Sequence, residues 1–291
     1  MSTYNGEQYL REQIDSIIQQ QEVNISLIVR DDGSTDLTKS ILEEYQRAGQ
    51  LSYYSGENLG PQKSFYELIK QAPTSDYYAL ADQDDIWLPI KLKTAVAKLT
   101  EYQEEPALYC SSTRLTDNNL QSIRQLDIHP MLSFGESLVY AYASGCTMVF
   151  NDALRKDVVS YQPKYMDMHD RWIINIAFAI GGKVIYDKQS LILYRQHDHN
   201  AVGLHDSEWK KWKQRFLRIW NHQQKRSLSA IELYKGFQHR ITPENKDILL
   251  LFIEGKKSMS KRIRLLFDNR FKCGDKKTWL LFKWAVMLNT Y

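Results

Sequence analysis

Three acids within four positions, Asp82, Asp84 and Asp85, follow directly on the apolar run Tyr77 to Ala81. Like charges held this close repel one another unless something positive sits between them. A hard divalent cation is the simplest compensation. Mg²⁺ takes one or two protein carboxylates and completes its shell with water and phosphate oxygens, so a partial acidic set suits a cation shared with a phosphorylated ligand. The same residues also read as an acidic turn before a helix. A second acidic tip, Asp31-Asp32-Gly33-Ser34-Thr35-Asp36, follows the apolar run Ile25 to Val29. A carboxylate there can accept from a nucleobase N–H or a sugar hydroxyl, while Ser34 or Thr35 caps the next helix. Taken alone, a β-α turn with a good cap explains it as well. Neither GxGxxG nor GxxxxGK[ST] occurs, which removes the fingerprints of dinucleotide binding and P-loop hydrolysis.

The elements that must carry these tips follow from periodicity. Leu10, Ile14, Ile17 and Ile18 form one face of a helix from about residue 7 to 20, and Leu37, Ile41, Leu42 and Tyr45 form another. Ile25 to Val29, Leu51 to Tyr54 and Tyr77 to Ala81 read as short buried strands. A turn at Gly56 to Pro61 leads into a helix bearing Phe65, Leu68 and Ile69, and Pro89 suits the first turn of one bearing Leu92, Val96 and Leu99. Further strands are expected at Ala107 to Ser111, Thr147 to Phe150, Val184 to Tyr186 and Leu191 to Tyr194. An apolar helix from Ile173 to Ile180 closes on Gly181-Gly182. Alternation of strand and helix predicts an α/β fold with a mostly parallel sheet covered on both faces. In such sheets ligands bind at the carboxyl ends of the strands, where both acidic tips fall.

The 291 residues carry a net charge of only +3, but the first two hundred sum to −9 and the last ninety-one to +12. This predicts an acidic body that holds a cation, joined to a basic helical segment facing something anionic. Trp209, Trp212, Phe216, Ile219 and Trp220 interleave with lysine and arginine, and residues 256 to 283 hold ten bases against Asp268 and Asp275. Basic helices with aromatic residues suit an anionic membrane surface. Alternatively, the aromatic stripes pack on the body or on a second copy in a homo-oligomer. No nucleic-acid-binding pattern is present, which argues against such a partner. The longest nearly apolar run, Trp279 to Leu288, is far short of the roughly 20 residues of a spanning helix. The three cysteines fall in no CxxC pairing, and Met1 to Glu7 lacks a secretory pattern, so a cytoplasmic address is expected.

Four motifs stand in register: Ser2-Thr3-Tyr4-Asn5-Gly6-Glu7, Arg30 to Asp36, Asn58-Leu59-Gly60, and Asp82-Gln83-Asp84-Asp85-Ile86-Trp87-Leu88-Pro89-Ile90-Lys91. Together they resemble a family 2 glycosyltransferase over about residues 1 to 203. The Asp-Gln-Asp-Asp-x-Trp form, with Tyr194-Arg195-Gln196-His197 downstream, resembles the bacterial rhamnosyltransferase branch. The resemblance implies a GT-A fold in a catalytic domain of residues 1–205, and the change in charge and composition sets residues 206–291 apart as a basic helical extension. It implies transfer, with inversion, from a nucleoside-diphosphate sugar assisted by Mg²⁺ or Mn²⁺. Thr3, Tyr4 and Glu7 would line the nucleotide pocket, with Asp32 or Asp31 on the base and Asn58 and Lys63 near base and diphosphate. Asp82 would contact the ribose, Asp84 would ligate the metal, and Arg195 and His197 would belong to a loop over the diphosphate, His197 as a second ligand. Asp170, in His169-Asp170-Arg171-Trp172, matches the family's acid near the acceptor. Its type suits a general base, although an N-cap of the following helix is an equally natural reading.

The expected donor is dTDP-L-rhamnose and the expected acceptor a lipid-linked cell-surface glycan, met at the inner face of a bacterial plasma membrane. The alternatives are a UDP-hexose or UDP-N-acetylhexosamine donor, or a catalytically silent scaffold subunit. A haloacid-dehalogenase phosphatase requires Asp-x-Asp-Gly-Thr, which Asp31-Asp32-Gly33-Ser34-Thr35 does not match. Family members open with a full hydrophobic strand before the Ser-Thr-Tyr-Asn equivalent, so here the first strand is expected to be missing or stunted.

Overall fold

The computed structural model describes residues 1–126, 130–131, 133–140, 143–196 and 225–291. The chain divides into two compact units that interleave in sequence. The first is Met1–Ile128, Ala143–Val159 and Lys183–Asn200, and the second is His129–Tyr142, Ser160–Gly182 and Ala201–Tyr291. The second unit is therefore more than the basic extension: it takes in residues 160–182, and with them Asp170, which the single cut at 205/206 assigned to the body. The cause is topological, since a chain that leaves a sheet and returns to it can lend the excursion to a neighbouring core.

In the first unit β1 (Ser2–Thr3), β2 (Ile28–Asp31) and β3 (Ser52–Ser55) pair in parallel in the order β1-β2-β3. Helices α1 (Leu10–Ile18) and α2 (Thr38–Arg47) cover this sheet because Leu10, Ile14, Ile17, Ile41 and Leu42 are all buried, at the helical spacing anticipated for them. The opening strand is stunted as expected, at two residues. Helix α3 (Pro61–Gln71) begins on Pro61, whose missing N–H costs nothing there.

The second sheet holds β4 (Tyr77–Ala79), β5 (Ile86–Trp87), β6 (Ala107–Thr116), β7 (Ser122–Gln125), β8 (Val149–Asn151) and β9 (Lys183–Arg195). The mostly parallel pairing expected of the sheet holds for β1-β2-β3 and for β6 with β9, but not for the rest of the second sheet: β8 runs antiparallel to β4 and β6, and β5 antiparallel to β9. The reason lies in the connections. Parallel neighbours need a crossover between them; β6 and β9 have one, which includes residues 160–182 of the second unit, whereas β6 and β7 are joined by a short turn. The two short strands expected at 184–186 and 191–194 are one long β9, bent by register shifts opposite Ser111 and Ser112. Helix α4 (Lys91–Leu99) seals this sheet with Ala95 and Leu99 against Ala107, Tyr109 and Val149. Helix α6 (Asp152–Val159) follows β8 directly.

The second unit is helical: α5 (Phe134–Val139), α7 (His169–Ala179), α8 (Lys225–Phe237), α9 (Pro243–Glu254), α10 (Met259–Phe267) and α11 (Lys276–Met287). Phe252, Phe271, Phe282 and Tyr291 form its centre, with ring centroids 5.0–6.5 Å apart. Part of the C-terminal aromatic content thus packs inward. The Trp209 to Trp220 stripe lies outside the described residues. Among the described residues no helix is long and apolar enough to cross a membrane.

Candidate active site

Three chain segments meet beyond the carboxyl ends of β1, β2 and β4, joined by hydrogen bonds rather than apolar packing. Asp32 N–H donates to Thr3 O (2.8 Å), and Gly56 N–H to Asp31 O (3.0 Å). Past β1, the chain is tied to the second tip by Asn5 N–H to Ser34 Oγ (2.9 Å), Gly6 N–H to Thr38 Oγ1 (2.8 Å) and Leu37 N–H to Glu7 Oε2 (2.8 Å). It is tied to the third by Gln83, whose Oε1 accepts from Thr3 Oγ1 and Tyr4 N–H, both at 2.7 Å, while its Nε2 donates to Tyr4 O (3.1 Å). Gly6 is required by this seam: a Cβ there would sit 2.5 Å from Gln83 Oε1. Thr3 is buried by these contacts, whereas the Tyr4 ring is 47% exposed and Glu7 stands open to solvent.

The β2 tip spends its carboxylates internally. Asp31 is fully buried and accepts from Ser34 N–H (3.1 Å), with Lys39 Nζ 3.9 Å away. Asp32 forms a buried ion pair with Arg30 and also accepts from Leu59 N–H and Gly60 N–H, both at 2.9 Å. A nucleobase reaching Asp32 therefore competes with the turn that Asp32 closes. That turn presents Asn58 and Lys63 to solvent, with Gly33 (φ +86°) packed beneath it.

At the third tip, ligand-capable atoms of Asp82, Asp85 and Cys146 lie within 4.8 Å of one another. Asp85 is buried, and neither of its oxygens meets a donor at hydrogen-bond geometry; the Cys146 thiol and the Arg195 backbone N–H approach it only loosely. Burial, then Asp82 and Asp84, pushes the Asp85 carboxyl well above the usual carboxylate range. Below it Lys91 is buried with its ammonium 3.6 Å from the centre of the Trp87 ring. Burial pulls that ammonium down to about 7, against the opposing pull of Cys146 and Asp85. The Cys146 thiol is raised by burial and by Asp85, so it stays protonated and unreactive, in keeping with a packing role.

A divalent cation fits this donor set, because two carboxylates, one of them buried with both oxygens short of donors, leave a demand that an ion satisfies. The expected ligand Asp84 is not part of the close cluster, which contains Asp85 in its place. The chain bends at Gln83 and Asp84, which breaks the strand alternation and brings Asp82 and Asp85 to one side, while the intervening Asp84 is held by its carbonyl, which accepts from Arg195 Nε (3.1 Å). His197, the other expected ligand, lies outside the described residues.

Arg195 is 2% exposed and its guanidinium is occupied within the protein: Nη1 donates to Asn118 O (2.5 Å), Nη2 pairs with Glu12, and the group lies 4.4 Å from the Tyr9 ring centre. Through its Nε bond to Asp84 O it ties the acidic tip to Glu12 and Asn118. Glu12 and Asn118 carry no local signal that would mark them as its partners. Gln83 and Arg30 lie inside motifs that could have drawn attention to them. A cavity of about 550 Å³ in this unit, lined by Ile28, Phe65, Leu80, Trp87 and Val149 among others, takes in none of these acids.

Asp170, in the second unit, stands in the first turn of α7, whose N-cap is Met168. The expectation that Asp170 itself caps the helix is thus corrected, because the helix begins one residue before it. Its Oδ1 accepts from the Arg171 N–H (2.6 Å), a first-turn donor that an acid near a helix N-terminus satisfies favourably. Among the described residues its Oδ2 accepts no further hydrogen bond.

A parallel three-stranded sheet, a mixed second sheet and acidic tips beyond the strands define the glycosyltransferase GT-A fold. The family model for glycosyl transferase family 2 matches residues 1–194, and the chain belongs to that family. It is 35% identical over 236 residues to the dTDP-rhamnosyl transferase RfbG of Shigella flexneri, covering 73% of this chain and 77% of that one. Staphylococcus aureus TarS 1-349 in complex with UDP-GlcNAc superposes with a TM-score of 0.58 at 18% identity, covering 98% of this chain and 89% of that one. The mannosyltransferase PcManGT from Pyrobaculum calidifontis, in complex with GDP-Man and Mn²⁺, superposes with a TM-score of 0.53 at 15% identity, covering 100% of this chain and 79% of that one.

Proposed function

We propose that this glycosyltransferase moves L-rhamnose from dTDP-L-rhamnose, with inversion, onto a lipid-linked cell-surface glycan at the inner face of a bacterial plasma membrane. The observation that carries the donor is the 35% identity to a dTDP-rhamnosyl transferase over 73% of the chain. The knitted tips supply the means. Tyr4, Glu7 and Asn58 are the exposed groups around the seam and take the nucleoside, with Thr3 and the Asp31–Asp32 turn setting their positions and Asp82 at the ribose. Lys63 is exposed and neutralises charge on the diphosphate. Asp82 and Asp85 hold the divalent cation, with Asp84 beside them in sequence as a further oxygen donor; carboxylate ligands of this kind suit Mg²⁺ or Mn²⁺. When bound, that ion supplies positive charge where the departing diphosphate accumulates negative charge. Asp170 is the base: its Oδ2 takes the proton of the acceptor hydroxyl as the hydroxyl oxygen bonds to the anomeric carbon on the face opposite the diphosphate, whose bond to that carbon breaks. Arg195 serves by bracing the acidic tip, since its guanidinium is already engaged.

A second reading, a UDP-N-acetylhexosamine donor, is favoured by the likeness to TarS in complex with UDP-GlcNAc. Calorimetric titration with dTDP-L-rhamnose, UDP-GlcNAc and UDP-glucose, each with Mn²⁺ and with EDTA, separates the two. The expected result is tightest binding of dTDP-L-rhamnose, weakened by EDTA. Tighter binding of UDP-GlcNAc transfers the proposal to the second donor, and equal affinity with and without metal removes the cation from it.

A further inference from the structure

Helices α10 and α11 of the second unit each bury one face and leave another apolar face bare. On α10, Met259, Ile263 and Phe267 recur every fourth residue and are 64%, 51% and 76% exposed. On α11, Leu280, Trp284 and Met287 recur at i, i+4 and i+7 and are 51%, 49% and 46% exposed. The residues between them face inward: Leu265, Phe282 and Val286 are buried. Both helices are thus saturated on the core side, and the outer stripes are surplus to folding. The stripes meet at their rims, where Lys283 Nζ lies 4.9 Å from the Trp279 ring centre and 6.0 Å from that of Phe267.

The charges around these stripes are almost all of one sign. Lys257, Lys272, Lys276 and Lys277 are exposed, Arg264 is exposed and paired with Asp247, and the two acids of the segment are consumed locally. Asp268 is paired with Arg270 and accepts from its backbone N–H, and Asp275 caps α11 by accepting from Lys277 N–H and Thr278 Oγ1. An isolated stretch of exposed apolar side chains fits several occupants, but cations interleaved with an apolar stripe do not fit a second copy of the same face, which would set lysine against lysine. They fit a surface that is apolar in depth and anionic at its boundary.

We propose that the α10–α11 face is the seat of this protein on an anionic lipid bilayer, with Phe267 and Trp284 entering the interface and the surrounding lysines meeting lipid phosphates. The proposal deepens the reading of a membrane-borne acceptor and does not depend on which sugar is transferred. Its geometry gives each class of residue a separate signature. Apolar side chains bind by burial and are insensitive to salt, whereas the lysines bind by charge and are screened.

The test is co-sedimentation of the full chain with vesicles of phosphatidylcholine alone and of phosphatidylcholine with phosphatidylglycerol, beside light scattering of the lipid-free protein. The wild type is expected to pellet with the anionic vesicles and little with the neutral ones, with binding reduced by 0.5 M salt. The double variant Phe267→Glu, Trp284→Glu is expected to lose binding at least tenfold. Lys276→Gln with Lys277→Gln is expected to lose several-fold on anionic vesicles only. Because all four side chains lie outside the core, unchanged thermal midpoints and unchanged donor affinity are expected and show that folding and the donor site are intact. Equal pelleting of the wild type and the Phe267, Trp284 variant overturns the proposal. So does a lipid-free dimer that this variant dissolves, which makes the face a self-association surface. Loss of vesicle binding with transfer retained on a soluble acceptor separates failure of the seat from failure of the transferase reading.

Discussion

The strand tips of the first unit and the C-terminal helices of the second use polar and apolar groups in opposite ways. At the tips, carboxylates, two arginines and a lysine are buried, and the connection between segments is made by hydrogen bonds such as those of Gln83 and Asp32. In α10 and α11, phenylalanine and tryptophan stand in water over a core that is already full. Each arrangement is costly to folding by itself, since burying charge and exposing apolar area both oppose it. Such costs mark surfaces shaped by something other than stability, which here are a charged small-molecule site and an interface.

The sharpest way to break the comparison is at Asp170, the acid of the helical unit proposed as the base. Asp170→Asn is expected to lower transfer by about 10²–10⁴-fold while leaving donor affinity within about twofold, because a base acts in the attack step. Turnover near the wild-type rate would leave Asp170 with only its helical contact to Arg171. Next in size is Arg195→Gln, which removes the brace on the acidic tip. A loss of about 2–4 kcal/mol in chemical denaturation is expected from its charged hydrogen bonds, together with weaker donor binding. Weaker donor binding at unchanged stability would instead return Arg195 to direct contact with the diphosphate.

The third is smaller and depends on pH. Asp85 has a folded-state carboxyl pushed above its unfolded range. Below about pH 4 both states are protonated and no stability depends on it. As pH rises, the unfolded chain releases the proton while the folded one retains it, so stability falls. Asp85→Asn in EDTA is therefore expected to leave the thermal midpoint nearly unchanged at pH 4 and to raise it at pH 7, by roughly 1–3 kcal/mol of stability. A gain of equal size at both pH values would show that packing, not ionisation, is responsible. Added Mn²⁺ should reverse the ranking, stabilising the wild type and not the variant.

Much of the fold was legible locally. The amphipathic spacing of Leu10, Ile14 and Ile17 and of Ile41, Leu42 and Tyr45 marked α1 and α2, and the apolar runs ending in acids marked the two tips. What local pattern did not show was pairing. Whether β8 lies parallel or antiparallel to β6 leaves no trace in the residues of either strand when both faces are buried, because side-chain alternation is then lost.

Residue types and their order determined that this chain carries acidic tips at the ends of strands, a helix-borne acid at 170 and a basic aromatic tail, since these depend only on composition and short-range period. The tertiary structure decided how each charge is used. It drew Arg195 inward to Glu12 and Asn118, closed Asp32 on the turn at Leu59 and Gly60, and put Asp85 rather than Asp84 beside Asp82 and Cys146. It also decided which aromatic residues of the tail fill a core and which face outward. A side chain's partner is chosen by through-space distance, and residues such as Glu12 and Arg195 become neighbours only when the strands between them have found their places.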